Sequence, residues 1–566
     1  MSRKKGNHGV IAVLVVILLF IIVVAAGLMT TLIKRHTPSD VKMDLNKYYS
    51  LAKEDEAALV LQNQVSEHKG KVIEGVFYLD YETITEALGG RFYWDTESGK
   101  MLYVKPTEIL AIAPDSTTYV EGGETKEENY KIIRLEDDNI YIALDFAQKY
   151  MKITSTVSEE PYKAVIRFQW KPEDVVKVKK DTQIRYQGGV KSEILTEVSS
   201  GTELVLLEEL ENWSKVSSPD GFIGYIEKDK ISGPKVTERE YTGSYEEEYT
   251  HVTRDHKINL AWHQVTSEDA NKGLENTLKT VSGINVISPT WFSVVATEGN
   301  ISSLASKEYV DLAHSKGLEV WGLIDNFNKS VSTLETLSVG SARAHLISML
   351  MQEAERVGLD GINVDFEMIT EEEAPHFVQF VRELSIACRQ KGLVLSVDNP
   401  VPMFTRFYNR KEQGIMADYI IIMGYDENID GVEQAGSVAS LPFVEEGILH
   451  TLEEVPADRV INGVPFYTRF WFTENTGAVS SEIMGMDQAS QAVKDMQMNV
   501  YWDEEAGQNY AEFKADKGTY QMWIEDEQSL DAKMQLVSKY ELGGSAAWKL
   551  GFERSDVWEI ISNHLK

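Results

Sequence analysis

The run Asp360-Gly-Ile-Asn-Val-Asp-Phe-Glu367 sets Asn363, Asp365 and Glu367 at every second position. Alternate side chains of a β-strand share a face, so these three point one way while Ile362, Val364 and Phe366 point the other. Two carboxyls on one face are groups able to take part in proton transfer. Acids stacked in a folded interior suffer desolvation and mutual repulsion, which disfavours a purely structural role.

Such a strand requires an interior that receives its polar face and an outer layer that receives its apolar one. From about Lys257 onward, apolar strands alternate with helices, the pattern of a parallel sheet with crossover helices. Eight strands are expected, beginning near Ile258, Val286, Leu318, Gly361, Val394, Tyr419, Val460 and Gly544. Eight βα units predict a (β/α)8 TIM barrel over 250–566. Glu367 then falls at the C-terminal end of the fourth strand, where barrel enzymes keep their active sites. Ser341 reads as the N-cap of a helix that stops at Gly358. A helix over about 374–391 carries Cys388 as a buried apolar residue. The long gap after the seventh strand, with Tyr501-Trp-Asp and Gly518-Thr-Tyr-Gln-Met-Trp, predicts an inserted β subdomain walling one side of a cleft.

These residues resemble the family-18 glycoside hydrolases, whose signature DGxDxDxE is matched by Asp360, Gly361, Asp365 and Glu367. Met423-Gly-Tyr-Asp426 at the end of strand six and Trp548 at the end of strand eight add to the resemblance. Asn363 stands where most chitinases have a third acid. With Phe366 and the stretches Trp523 to Leu530 and Trp548 to Gly551, it is similar to the branch of spore-cortex and cell-wall N-acetylglucosaminidases. The resemblance implies a retaining, substrate-assisted mechanism, an exception to the two-carboxylate scheme. Glu367 is then the general acid and later the base. Asp365 orients the substrate acetamido group, whose oxygen attacks C1, and stabilises the oxazolinium. Tyr425 hydrogen-bonds that oxygen, Trp548 floors the sugar, and Asp360, Asn363, Met423 and Asp426 complete the substrate-binding set. Removing one of three stacked acids leads to a further expectation: Asp365 ionises more easily, and Glu367 is less strongly raised in pKa.

The 566 residues carry Lys+Arg 56 against Asp+Glu 89, a net charge of −33, which disfavours nucleic acid as a partner. A lone cysteine excludes an intrachain disulfide framework and a CxxC redox site. The 11 histidines are dispersed and no Gly-rich phosphate loop occurs, so neither a metal nor a nucleotide cofactor is expected. Residues 10–33 are uncharged and long enough to cross a bilayer, with 1–9 as a cytoplasmic N-terminus. Residues 44–170 look doubled, with Gly75 to Tyr81 leading into a helix over Glu82–Leu88 and Asn139 to Leu144 leading into another. They resemble the N-terminal α+β domain of copper amine oxidases, without its copper: His68 is the single histidine there, and no ligand cluster is expected. Residues 176–232, rich in short strands and Gly turns, resemble a bacterial SH3-like domain, a class that often contacts peptidoglycan; Trp213 and Tyr225 read singly as core residues.

The resulting expectation is a glycosidase anchored in the cell membrane by one helix, its catalytic part extracellular, acting on N-acetylglucosamine polymer of the cell wall. A chitinase-like hydrolase and a silent sugar-binding barrel are the alternatives, and endo and exo cleavage both stay open.

Overall fold

The structure, a computed structural model, describes residues 8–136, 138–246 and 249–566. They group into two compact units, each treated separately below. The first comprises Met1–Arg91, Ile112–Tyr119 and Lys126–Glu247. Among its described residues one helix, Ala12–His36, is long and apolar enough to cross a membrane. The segment after it runs along the small β-barrel: the Ser39 N–H donates to the Val190 carbonyl at 2.7 Å and the Met43 N–H to that of Ile194 at 2.8 Å. Tyr49 is fully buried in one core with Val176, Ile184, Val216 and Ile226 of the barrel and with Ala58 and Val60 of the neighbouring sheet. Residues 44–51, expected in the α+β domain, therefore pack with the SH3-like one. The two helix-leading strands of the doubled reading, Val76–Asp80 and Asn139–Ala143, pair antiparallel in one seven-stranded sheet. The first of the two expected helices is a short turn of π-helix, Thr83–Ala87. Trp213 and Tyr225 are half-buried rather than core.

Contrary to the expectation of no ligand cluster, His68, Asp80 and Glu82 lie close enough for their ligand atoms to share an ion. Asp80 already has a structural task, accepting hydrogen bonds from the Thr83 N–H at 3.0 Å and hydroxyl at 2.5 Å to start the turn.

In the second unit, eight parallel strands among the described residues close on themselves: β1 (Ile258–His263), β2 (Val286–Val294), β3 (Glu319–Asp325), β4 (Gly361–Asp365), β5 (Val394–Pro400), β6 (Tyr419–Met423), β7 (Val460–Pro465) and β8 (Gly544–Trp548). β8 pairs with both β7 and β1, completing the ring. The hydrophobic code is nearly continuous because every strand is covered on both faces. A five-stranded antiparallel sheet with a helix, Met486–Met496, is inserted between β7 and β8. The end of its central strand, Gly518–Ile524, is fixed by Glu525, fully buried against Lys533 at 2.9 Å and Gln508 at 2.6 Å. Burial pushes the Glu525 carboxyl up to about 7 despite the opposing ammonium.

Outer helices α1 (Gly340–Val357) and α2 (Ala374–Lys391) flank β4 in sequence. Gly358, at φ 82°, ends α1 in the left-handed region as its type predicts. Ser341 is not the cap. Val339 occupies that position, and the Ser341 N–H and hydroxyl donate instead to Glu97 at 2.7 and 2.6 Å. Glu97 belongs to a hairpin, residues 92–104, that sequence assigns to the α+β domain but that packs on the barrel helices. Arg343 of α1, fully buried, meets Glu383 at 3.1 Å and Asp95 at 3.4 Å, and Tyr93 bonds His376 at 2.7 Å.

The ring closes where β8 meets β1, and Gly544 lies on that seam: a Cβ there would overlap the Ile258 carbonyl. Gly544→Ala is expected to lower stability by about 1–3 kcal/mol through forced strand separation. A guanidinium denaturation curve checks it, and an unchanged midpoint would show that the seam has slack.

Candidate active site

The register of the parallel strands sets the site. Asp325, the last residue of β3, pairs with Asp365, the last of β4. Between β4 and β5, Asn363 pairs with Ser396 and Val364 with Val397, so the next step brings Asp398 level with Asp365. Neighbouring strands lie about 4.8 Å apart. Three carboxyls thus form a row across β3, β4 and β5, at the C-terminal end of the barrel, with Glu367 two residues beyond Asp365.

Beneath this row Asn363, fully buried, is a crossroads. Its Oδ1 accepts from the Trp262 indole at 2.9 Å and the Ser288 hydroxyl at 3.0 Å. An indole N–H only donates, which fixes the amide orientation. The Nδ2 group is left to donate to Ser396 Oγ at 3.0 Å and Asp398 Oδ1 at 2.7 Å. Asp325 is satisfied from the other side, by the Ser293 hydroxyl at 2.8 and 2.9 Å and the Phe327 N–H at 3.0 Å.

Asparagine at 363 does not leave Asp365 free of like charge. Burial, followed by the charges of Asp398, Glu367 and Asp325, holds its carboxyl well above the ordinary range. Asp398, 1% exposed, is raised by burial as well, against the pull of its hydrogen bond from Asn363. The acid absent from position 363 is present one strand over.

Glu367 is held by its backbone. Its N–H donates to Asn326 Oδ1 at 3.0 Å, and the Asn326 amide donates back to its carbonyl at 3.0 Å. Phe366 turns outward as its parity requires and stacks between Phe377 and Phe380 of α2, with ring centroids 5.8 and 5.5 Å away. Met368, at φ 56° and 85% exposed, turns the chain outward directly after the acid. Tyr408 then accepts from the Ile369 N–H at 3.2 Å. Burial, then the carboxylates of Asp426 and Asp325, raise the Glu367 carboxyl. A carboxyl kept protonated above its usual range, on a fixed backbone, is suited to donating a proton.

Tyr425 and Asp426 follow β6. Tyr425 is almost fully buried, with its ring 6.5 Å from that of Trp262 and 6.2 Å from that of Tyr467. Burial pushes its phenol well up, so it stays a hydrogen-bond donor. Asp426 accepts from the Tyr467 hydroxyl, which reaches in from the first strand of the inserted sheet. Trp548 ends β8, half-buried, 6.1 Å from Trp262. Met423 closes β6 at 9% exposure.

Asp360 is a correction. It precedes β4 at the opposite end of the barrel, about 20 Å of strand from Glu367. There it bonds His314 at 2.8 Å and the Val320 N–H at 2.8 Å, tying β3 to β4. That geometry makes it a structural residue with no access to a substrate at the other rim.

Asp325, Asp398, Asn326, Trp262 and Tyr467 are the site residues that sequence reasoning missed. For the two acids the signal was parity: counting inward positions along the third and fifth strands puts a carboxyl at the C-terminal end of each. Tyr467 had none, since only the fold brings the insert to Asp426.

A sequence model of the glycosyl hydrolases family 18 matches residues 241–553, and one of the bacterial SH3 domain matches 180–232. The uncharacterized glycosylase YvbX of Bacillus subtilis is 23% identical over 301 residues, 49% of this chain and 86% of that protein. The cortical fragment-lytic enzyme of Bacillus subtilis is 23% identical over 232 residues, 39% of this chain and 54% of that protein, so the match spans about half of that relative's length. In fold, the chain is similar to the spore cortex-lytic enzyme SleL of Bacillus cereus, with a TM-score of 0.50 at 19% identity over 59% of this chain and 79% of that one.

Because the Asp426 charge contributes to raising Glu367, Asp426→Asn is expected to lower the pKa of the acid. Glu367 then loses its proton at lower pH, and the basic limb of kcat/KM moves toward acid. A pH–rate profile on an N-acetylglucosamine oligomer measures this, and an unmoved basic limb would break the link between the two carboxyls.

Proposed function

The chain belongs to family 18 of the glycosyl hydrolases, and we propose that it is a membrane-anchored enzyme cleaving peptidoglycan after N-acetylglucosamine with retention of configuration. The observation that carries this reading is the pairing of a raised, backbone-fixed acid, Glu367, with Asp365 on the same inward face two residues earlier.

In the proposed reaction Glu367 gives its proton to the glycosidic oxygen as the bond to C1 breaks. The acetamido oxygen of the same sugar forms the new bond to C1. Asp365 receives the acetamido N–H and balances the positive oxazolinium, in a site where low dielectric strengthens that attraction. Tyr425 donates to the acetamido oxygen and Trp548 floors the ring. Glu367, now a carboxylate, takes a proton from the water that opens the oxazolinium. Asn363 and Asp426 act by holding neighbours, and Met423 lines the wall.

Peptidoglycan is favoured over chitin by the company the barrel keeps. The SH3-like domain of residues 180–232 suits retention on a wall polymer, and the apolar helix Ala12–His36 suits an anchor that leaves the remaining chain outside the cell. The cortex-lytic relatives point the same way. The α+β domain, similar in pattern to the N-terminal domain of copper amine oxidases, serves in this reading as a spacer between membrane and wall.

Incubating the detergent-solubilised full chain with purified peptidoglycan and with chitin oligomers tests the proposal. Reducing ends from peptidoglycan, with N-acetylglucosamine at the new end and the β-anomer formed first, are expected. Glu367→Gln is expected to reduce the rate by roughly 10²–10⁴. Release from chitin alone would reassign the substrate, and equal activity of the variant would remove Glu367 from the mechanism.

A further inference from the structure

Two carboxyl oxygens in the site, Asp365 Oδ1 and Asp398 Oδ2, are buried and have no hydrogen-bond partner among the described residues. They belong to side chains that the strand register sets side by side on the inner face of the barrel. An oxygen buried without a donor is costly, and two such carboxylates in contact repel. One proton placed between them removes both penalties.

The third acid of the row does not compete for this proton. Burial raises the Asp325 carboxyl too, but both its oxygens take donors, from Ser293 and the Phe327 N–H, which favour its anion and leave neither oxygen unpartnered. Asp398 is complete on one side only: Oδ1 receives Asn363 Nδ2 at 2.7 Å, and that amide is locked by Trp262 and Ser288. The other oxygen is left for Asp365.

We propose that Asp398 is the positioning residue for Asp365, holding with it a single proton between Asp398 Oδ2 and Asp365 Oδ1 that settles on Asp398 as the substrate becomes positively charged. This rests on the substrate-assisted reading above. In the empty site the pair carries one negative charge and one proton. As the acetamido group engages Asp365 and the oxazolinium forms, the O–H bond on Asp365 Oδ1 breaks and one on Asp398 Oδ2 forms. The charge of the pair stays at −1, now located on Asp365 beside the cation. Opening of the oxazolinium by water reverses the shift. Glu367 handles its own proton throughout, so no oxidant or further acid is required.

The titratable groups facing the pair are Asp325 from β3, Glu367 from β4, Tyr408 from the segment after β5 and Tyr425 from the end of β6. None is a cation, so no ion pair among the described residues relieves the two acids in place of the proton.

Infrared spectra of the detergent-solubilised full chain at neutral pH, alongside hydrolysis of peptidoglycan and N-acetylglucosamine oligomers, test this. Asp398→Asn keeps an acceptor for Asn363 and is expected to lose one un-ionised carboxyl from the carbonyl-stretch region. Its kcat is expected to fall at least tenfold with KM little changed. The acidic limb moves to lower pH, because Asp365 loses the neighbouring carboxyl whose charge raises it. Should this variant not fold, Asp398→Ala carries the same expectations. An unchanged carboxyl band, or lower activity with the acidic limb in place, overturns the proposal and leaves Asp398 as packing. A wild-type chain that cleaves neither substrate refutes the functional reading instead, while the infrared comparison still decides the shared proton.

Discussion

Like charges on adjacent strands are the constraint around which this barrel is built. Parallel register makes Asp325, Asp365 and Asp398 neighbours whether or not their charges agree, and burial strengthens the repulsion. A fold that tolerates this must supply donors for each oxygen or keep a proton in the row. The structure does the first at Asp325 through Ser293 and the Phe327 N–H. At Asp398 it does so for Oδ1 alone, through Asn363, whose amide gathers β1, β2, β4 and β5 into one network. A neutral amide serves that junction better than a fourth acid would, because it accepts on one side and donates on the other.

Rigidity follows from the same arrangement. The donors that fix the acids come from strands, whose positions depend on the closed ring. The acid itself sits just past β4, where the chain would otherwise be free. Its restraint comes from both sides of the barrel wall: Asn326 grips the Glu367 backbone, while Phe366 is packed into α2 by Phe377 and Phe380. Removing either restraint would leave the carboxyl in place on average but less well aimed, and proton transfer depends steeply on aim. The buried Glu525–Lys533 pair has the corresponding role for the inserted sheet, which must deliver Tyr467 to Asp426.

Much of this was legible in the sequence, for identifiable reasons. Strand starts follow from apolar runs bounded by turn signals, and the second outer helix runs over 374–391 as its pattern indicated. Alternation within one strand put Glu367 and Asp365 on the same face. What alternation does not carry is register between strands, so the acids of β3 and β5 passed unnoticed and the loss of a carboxyl at Asn363 was mistaken for a loss of charge. Asp360 shows the opposite error: membership in a contiguous motif suggested a shared site, although a strand separates its two ends by its full length. Ser341 has the residue type of a cap, yet Glu97, far away in sequence, claimed its hydroxyl.

Position in the layer matters more than position in the motif. A carboxyl reaching Asp365 from below on the same strand and one reaching it from the side on β5 impose similar electrostatics, because both lie within one strand spacing in a medium of low dielectric. They differ in what else they touch. An acid on β4 at position 363 would face Trp262 and Ser288, donors that stabilise its anion directly. Asp398 has one oxygen supported by Asn363, and the other is buried without a hydrogen-bond partner, on the strand next to Asp365. Transferring the acid between strands therefore keeps the charge count of the interior while converting an independently satisfied carboxylate into one that needs its neighbour. On this argument the asparagine at 363 and the aspartate at 398 form a single design, and either substitution made alone would leave the row with an oxygen too many or a proton too few.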